Sequence, residues 1–191
     1  MPIPIVVQHP AWFAEIADDL VLTTVEDRMR FTTDLAARNV AEDTGGPFGA
    51  AVFERDSGRL VAAGVNVVVP SNAAVMHAEV VAIAAAGQNL GSFDCGADGL
   101  PATELIASTE PCAMCFGATI WSGVTRLVCG ARAEDAIAIG FDEGPKLEDW
   151  PEQLEARGIE VLRDVERDHA AAVLMTYLDG GGHVYNARGG V

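Results

Sequence analysis

Basic residues are scarce in this sequence. Lys and Arg number 12 against 28 Asp and Glu in 191 residues, which gives a formal net charge of −16 at pH 7. Solubility alone explains most acid excesses of this kind. So acidic a surface nevertheless repels phosphate backbones, and we expect no nucleic-acid partner that is bound mainly through charge.

Long apolar runs are also missing. Residues 65–70 and 80–86 are apolar but far too short to cross a bilayer. A secretory signal has a positively charged segment before an early apolar stretch. The first basic residue here is Arg28, so the sequence does not show that pattern. Four cysteines are too few for a disulfide scaffold, and a Cys-x-x-Cys pair in a reducing compartment indicates metal or redox chemistry. We therefore expect a cytoplasmic enzyme with no membrane partner.

The apolar pattern predicts one α/β domain, since half of the residues are hydrophobic and the length suits a single core. Strands are predicted at 48–53, 59–67, 100–108, 124–130 and 159–162. Helices are predicted at 24–42, 77–90, 112–122, 134–139 and 165–178, with a loop at 70–72. The first two strands should form an antiparallel hairpin around Asp56-Ser57-Gly58. Strands that alternate with helices imply a three-layer α/β/α fold, with helices on both faces of a five-stranded mixed sheet.

The chain divides into three parts by pattern. Residues 1–22 are irregular and predict a surface lead-in whose aromatic side chains, Trp12 and Phe13, pack on the domain. Residues 23–180 form the domain. Residues 181–191 form a tail that begins within the glycine-rich hinge at 180–182.

Two short motifs carry the chemistry: His77-x-Glu79, and a Pro-Cys-x-x-Cys motif with Cys112 and Cys115. At a helix start, two cysteines three apart can point both sulfurs to one side, and His77 at the start of another helix can supply a third ligand. Three ligands leave Zn²⁺ an open position for water, which is the catalytic arrangement. Together the two motifs are the signature of zinc deaminases that act on bases. The two non-enzymatic alternatives are a redox-active cysteine pair and a structural zinc site.

The chain resembles the cytidine-deaminase-like superfamily and, within it, the bacterial guanine deaminases. The resemblance runs from about residue 24 to the C-terminus. It rests on Gly45-Gly46-Pro47-Phe48-Gly49-Ala50, Asn66, His77-Ala78-Glu79, Glu110-Pro111-Cys112, Met114-Cys115, Gly117-Ala118, Trp121 and Gly140-Phe141-Asp142-Glu143. That last block and the tail at Tyr185-Asn186-Ala187-Arg188 separate the chain from a generic deaminase.

The resemblance implies hydrolytic deamination of guanine to xanthine and ammonia. Zn²⁺ on His77, Cys112 and Cys115 would lower the pKa of its water toward neutrality. Glu79 would carry the proton from that water to the ring nitrogen and the leaving amine. The rival substrates are other amino-heterocycles: cytosine, a nucleoside or an amino-triazine. A tRNA adenosine deaminase shares both motifs, but it needs a basic RNA surface.

Several residues are candidates for binding the base. Asn66 follows an apolar strand and should emerge at a sheet end, where its amide suits a heterocycle edge, although it could instead cap a turn. Phe48 and Trp121 are candidates for sandwiching a flat ring, with a core position as the alternative for Phe48. The resemblance assigns to Glu143 the binding and protonation of guanine. Asp142 could have that role instead, and the alternative without a function is that Glu143 is a solvent-exposed acid in a loop.

The tail has an implied role as well. In similar guanine deaminases the C-terminal segment crosses to the partner subunit and closes its active site. The resemblance therefore implies a domain-swapped homodimer in which Tyr185 or His183 covers a small purine base.

Overall fold

Five strands form one mixed sheet in the order β2-β1-β3-β4-β5. The structure is a computed structural model that describes residue 6 and residues 8–186. The strands are β1 Gly49–Glu54, β2 Leu60–Val65, β3 Thr103–Thr109, β4 Arg126–Ala131 and β5 Glu160–Leu162. β1 pairs antiparallel with β2 and β3, while β3, β4 and β5 run parallel. The predicted mixed sheet is confirmed.

Helices cover both faces of this sheet. They are α1 Val25–Ala41, α2 Val68–Ser71, α3 Ala78–Leu90, α4 Ala113–Trp121, α5 Ala133–Ala138, α6 Trp150–Glu155 and α7 Arg167–Asp179. Along β1, Ala50 and Val52 join the core under α3 and α6, whereas Ala51 and Phe53 join the core under α1. This alternation is the two-residue period of a strand, and burial on both faces explains why the strands are continuously apolar. The three-layer prediction is confirmed.

The lead-in packs on the domain through a short 3₁₀ helix, Ala11–Glu15. Trp12 is buried, and its Nε1 donates a hydrogen bond of 3.1 Å to the hydroxyl of Thr44. Phe13 packs against the same core. The boundary at residue 22 stays a prediction.

Two helices differ from the sequence-based expectation. α2 occupies Val68–Ser71, where a loop at 70–72 was expected because of Pro70. Proline fits there because the first four N–H groups of a helix have no intrahelical acceptor. α6 was not predicted. It begins at Trp150-Pro151, and proline is tolerated in this first turn because the first N–H groups of a helix have no intrahelical acceptor. No helix in the described part of the chain is both long and apolar enough to span a membrane.

Candidate active site

The starts of α3 and α4 meet at the carboxyl ends of β2 and β3. His77 immediately precedes α3 and Cys112 immediately precedes α4. α3 lies close on β2 because Gly64 has no side chain: a Cβ there would lie 2.5 Å from the carbonyl oxygen of Ala78. The close packing of α3 on the sheet determines the position of His77.

The three predicted metal ligands form one cluster. His77 Nδ1 lies 3.6 Å from Cys112 Sγ and 3.7 Å from Cys115 Sγ. Bonds of about 2.0 Å to nitrogen and about 2.3 Å to sulfur at tetrahedral angles place the two ligand atoms about 3.5 Å apart. The cluster therefore fits zinc. Within residues 8–186, no other group of three His, Cys, Asp or Glu side chains comes as close together.

The two thiols differ strongly in acidity. A hydrogen bond from Cys115 lowers the pKa of Cys112 to about 4. The pKa of Cys115 is raised in turn, because the Cys112 thiolate holds its proton and because it is buried. Burial is the largest single influence on the pKa of His77 and lowers it. The hydrogen bond to Cys112 and the charges of Glu79, Cys112 and Glu143 together outweigh burial, so the net shift is upward. One thiolate is thus available at neutral pH, and binding a metal would release the remaining thiol proton.

Glu79 lies in the first turn of α3, two residues after His77. It is buried, and burial followed by the charge of Cys112 raises its pKa. A carboxyl whose pKa moves toward neutrality can both accept and return a proton during turnover.

A small pocket opens onto the cluster, with a volume of about 30 Å³. Its lining brings together residues from distant parts of the sequence: Phe48, Asn66, His77, Glu79, Glu110, Cys112, Phe141, Asp142, Glu143 and Tyr185. The rings of Phe48 and Tyr185 each lie 5.0 Å from the ring of Phe141. The pocket therefore has both a flat apolar lining and several polar groups, which suits a heterocyclic base.

Two buried polar atoms of this lining have no hydrogen-bond partner among the described residues: Oε2 of Glu143 and the hydroxyl of Tyr185. Buried polar atoms are normally paired, so their location beside a cavity indicates a polar ligand. Burial and the charge of Cys112 raise the pKa of Glu143 to about 8. The carboxyl of Glu143 can therefore donate a proton at neutral pH.

The family model described as the cytidine and deoxycytidylate deaminase zinc-binding region matches residues 22–131. The match covers more than half of the chain and includes all three clustered ligands and Glu79. The chain belongs to this deaminase family. The deaminase is a zinc-dependent aminohydrolase, and Zn²⁺ is its cofactor.

Solved structures extend the similarity over nearly the whole deaminase. A guanine deaminase from Nitrosomonas europaea is 49% identical with a TM-score of 0.90, covering 94% of this chain and 98% of that chain. A chain solved in complex with 8-azaguanine is 50% identical with a TM-score of 0.89, covering 92% and 98%. The guanine deaminase of Bacillus subtilis is 36% identical over 118 residues, or 62% of this chain and 71% of that protein.

In the deaminase Asn66 caps a turn and also lines the pocket, while its binding of a base stays a prediction. Its Oδ1 accepts a hydrogen bond of 3.2 Å from the backbone N–H of Val68, as a turn-capping residue does. The same side chain is almost fully buried and lines the pocket.

The structure places Trp121 outside this pocket. The residue ends α4 and is 83% exposed, and it does not line the pocket of its own chain. It lies six residues after the ligand Cys115, a rise of about 9 Å along α4 at about 1.5 Å per residue. Its stacking on a base stays a prediction.

Within the tail, the structure separates Tyr185 from His183. Tyr185 lines the pocket, whereas His183 lines a neighbouring cavity of about 560 Å³. The hydroxyl of Tyr177 donates to the carbonyl of His183 at 2.7 Å, and the side chain of Asn186 bonds both Gly140 and Asp142. The expected role of the tail beyond Asn186 lies outside the described residues.

Sequence reasoning missed two pocket-lining residues, Glu110 and Phe141. Glu110 is buried between Arg163 and Lys146, and Phe141 is part of the core that packs on α7. Both residues belong to the sequence segments that carry the family resemblance, so their closeness in sequence to Cys112 and Glu143 was the available signal.

Proposed function

We propose that this deaminase converts guanine and water to xanthine and ammonia. The pocket carries this proposal: the unpaired polar atoms of Glu143 and Tyr185 lie in the same lining as the zinc ligands and Glu79. The similar chain in complex with 8-azaguanine, and the guanine deaminases among the relatives, support a purine base.

Each residue has a definite task in this reaction. Bound zinc supplies a Lewis acid that brings the pKa of a water close to neutrality. Glu79 accepts the two protons of that water in turn, and delivers the first to the ring nitrogen and the second to the departing amine. Protonated Glu143 and the amide of Asn66 hold the polar edge of the base. Phe48 packs on its face, and Tyr185 excludes bulk water.

A free base suits the site better than a nucleic acid. Tyr185 covers the pocket, and the net charge of −16 repels a tRNA backbone. The alternatives that remain are cytosine, a nucleoside and an amino-triazine, because the zinc chemistry is the same for all of them.

The test is a substrate panel with metal analysis. We expect stoichiometric zinc, and ammonia release that is fastest from guanine when guanine, adenine, cytosine and their nucleosides are compared. Faster release of ammonia from cytosine or a nucleoside would show that this compound, rather than guanine, is the substrate. Zinc without ammonia from any compound would favour a structural metal site.

We also propose a homodimer that uses α4. This helix has no charged residue, and only Cys115 and Thr119 are fully buried. Trp121 at its end is 83% exposed, and nearby Phe93 is 93% exposed. An apolar helix is normally covered, and the absence of charge lets a second acidic copy approach without repulsion.

The oligomeric state tests this surface. We expect the native protein to sediment at twice the 20.0 kDa mass of one chain. A variant with Phe93→Glu and Trp121→Glu should sediment as a monomer, whereas Met175→Glu on α7 should remain dimeric. A monomeric native protein would refute the dimer.

A swapped tail is a further part of the proposal. The described tail lies on the pocket of its own chain, and the glycines at 180–182 would also allow it to reach a partner. Complementation distinguishes the two arrangements. A chain that lacks residues 181–191 is mixed with full-length Glu79→Gln, and each chain alone has lower activity than the native protein. Recovery of activity after subunit exchange requires that the intact tail cover the other chain's site, and no recovery refutes the swap.

We infer a cytoplasmic location, because all four cysteines are free thiols and the metal cluster needs a reducing compartment. Immunoblots of fractionated cells test this inference, and protein found only outside the cytoplasm would contradict it.

A further inference from the structure

The loop that presents Glu143 has little regular structure of its own. It connects α5 to α6, and most of the hydrogen bonds at its centre are local or run to the tail. Gly144 N–H donates to Asp142 Oδ1 at 2.8 Å, Lys146 N–H donates to the carbonyl of Gly144 at 2.9 Å, and Asp142 N–H donates to Asn186 Oδ1 at 3.0 Å. Among the described residues, the bond of 2.9 Å from Ala113 N–H to the carbonyl of Glu143 is the one backbone hydrogen bond that joins this centre to α4. A second contact with α4 would hold the Glu143 carboxyl more rigidly.

Lys146 is the only lysine in the sequence, and it lies three residues after Glu143. Its side chain is only 10% exposed, although lysine is normally a surface residue. The ammonium donates a hydrogen bond of 2.9 Å to the carbonyl of Pro111. It also lies 3.8 Å from Glu110 Oε2 and 4.9 Å from the centre of the Trp150 ring.

These contacts join three parts of the site. Pro111 immediately precedes the zinc ligand Cys112, Lys146 belongs to the Glu143 loop, and Trp150 begins α6. A desolvated ammonium is stable only with such partners: a carbonyl, a carboxylate and an aromatic face. The ammonium of Lys146 binds the carbonyl group of the residue before Cys112. This bond fixes the Glu143 loop relative to the metal cluster.

We propose that Lys146 is a positioning residue that holds the Glu143 loop against the start of α4, so that the Glu143 carboxyl meets the base at a fixed distance from the zinc ligands. The effect on turnover rests on the proposed deamination. The effect on the loop does not.

Hydrogen exchange tests the loop directly. Lys146→Met keeps the length of the side chain but removes its charge, and amide exchange in residues 140–149 should become about tenfold faster. Lys146→Arg should restore most of the protection, and zinc content should stay at one per chain. Arg30→Met is the matched control, since it removes one positive charge from an exposed position. Unchanged exchange in Lys146→Met would overturn the proposal.

A double-mutant cycle tests the route through Glu143. Lys146→Met should lower kcat/KM about 10- to 100-fold, because a misplacement near 1 Å has effects of this size. In a Glu143→Gln background the same substitution should change kcat/KM less than about twofold. Equal losses in both backgrounds would overturn the positioning role. If the native enzyme released no ammonia from guanine, the proposed function would fail, and hydrogen exchange would still decide the role of Lys146.

Discussion

The two halves of the active site are built in different ways. The metal floor consists of His77, Glu79, Cys112 and Cys115, which all lie at the starts of α3 and α4. The base wall consists of Phe48, Asn66, Glu143 and Tyr185, which lie on loops, a strand end and the tail. Helix starts on a buried sheet fix chemistry rigidly, while loops can vary what is recognised. In the proposed reaction, the metal floor therefore carries the chemistry and the base wall selects the base.

The largest effect is expected in the metal floor. Glu79→Gln removes the group that carries the proton but keeps the three zinc ligands, so kcat should fall about 10²- to 10⁴-fold. Zinc content should stay at one per chain. Ammonia release and metal analysis on the same preparation measure both quantities. Wild-type turnover in this variant would show that Glu79 is not the proton carrier.

Loss of the tail should affect the base wall alone. Deleting residues 181–191 removes Tyr185 from the pocket, and we expect kcat/KM to fall about tenfold or more as bulk water enters the site. Zinc content should not change, because the tail does not contribute a ligand. Unchanged steady-state kinetics would remove Tyr185 from the wall.

The dependence of kcat/KM on pH should distinguish the contribution of Glu143 from that of the metal floor. Its pKa of about 8 means that the carboxyl is protonated below that pH and can donate to the base. Above that pH it is ionised, so kcat/KM should fall about tenfold per pH unit. Glu143→Gln cannot ionise and should lack this alkaline decrease. The same decrease in the variant would assign it to another group.

The smallest effect is expected at a cysteine outside the floor. Cys129 is buried in β4, and burial raises its pKa well above the usual range, so it stays a neutral thiol. Cys129→Ala should lower the free energy of unfolding by about 1 kcal/mol and leave zinc content unchanged. Urea unfolding and metal analysis measure this. Loss of zinc would place Cys129 in the metal floor.

The metal floor was predictable because its signals are local. The helices predicted at 77–90 and 112–122 are observed at Ala78–Leu90 and Ala113–Trp121; His77 and Cys112 immediately precede them, and Cys115 lies in the first turn of α4. Spacing along a helix places Cys112 and Cys115 on one side. The two motifs together, rather than spacing, predicted that His77 joins them.

The base wall was not predictable from spacing. Phe48 and Tyr185 are far apart in the sequence, and only the resemblance brought them together. Trp121 follows the zinc motif in sequence, but it lies at the exposed end of α4 and does not line the pocket. The sequence pattern does not show that Lys146 is buried, because its contacts with Pro111, Glu110 and Trp150 depend on the fold.

The small pocket also affects how tightly a base can bind. A volume of about 30 Å³ is below the roughly 300 Å³ of ordinary ligand sites, so we expect the lining to move apart when a base binds. The apparent dissociation constant would then equal the intrinsic constant divided by the open fraction. A Cβ at Gly46 would lie 2.1 Å from the hydroxyl oxygen of Tyr185. The absence of a side chain at position 46 thus gives the Tyr185 hydroxyl room in this closed arrangement, and we expect it to lower the open fraction.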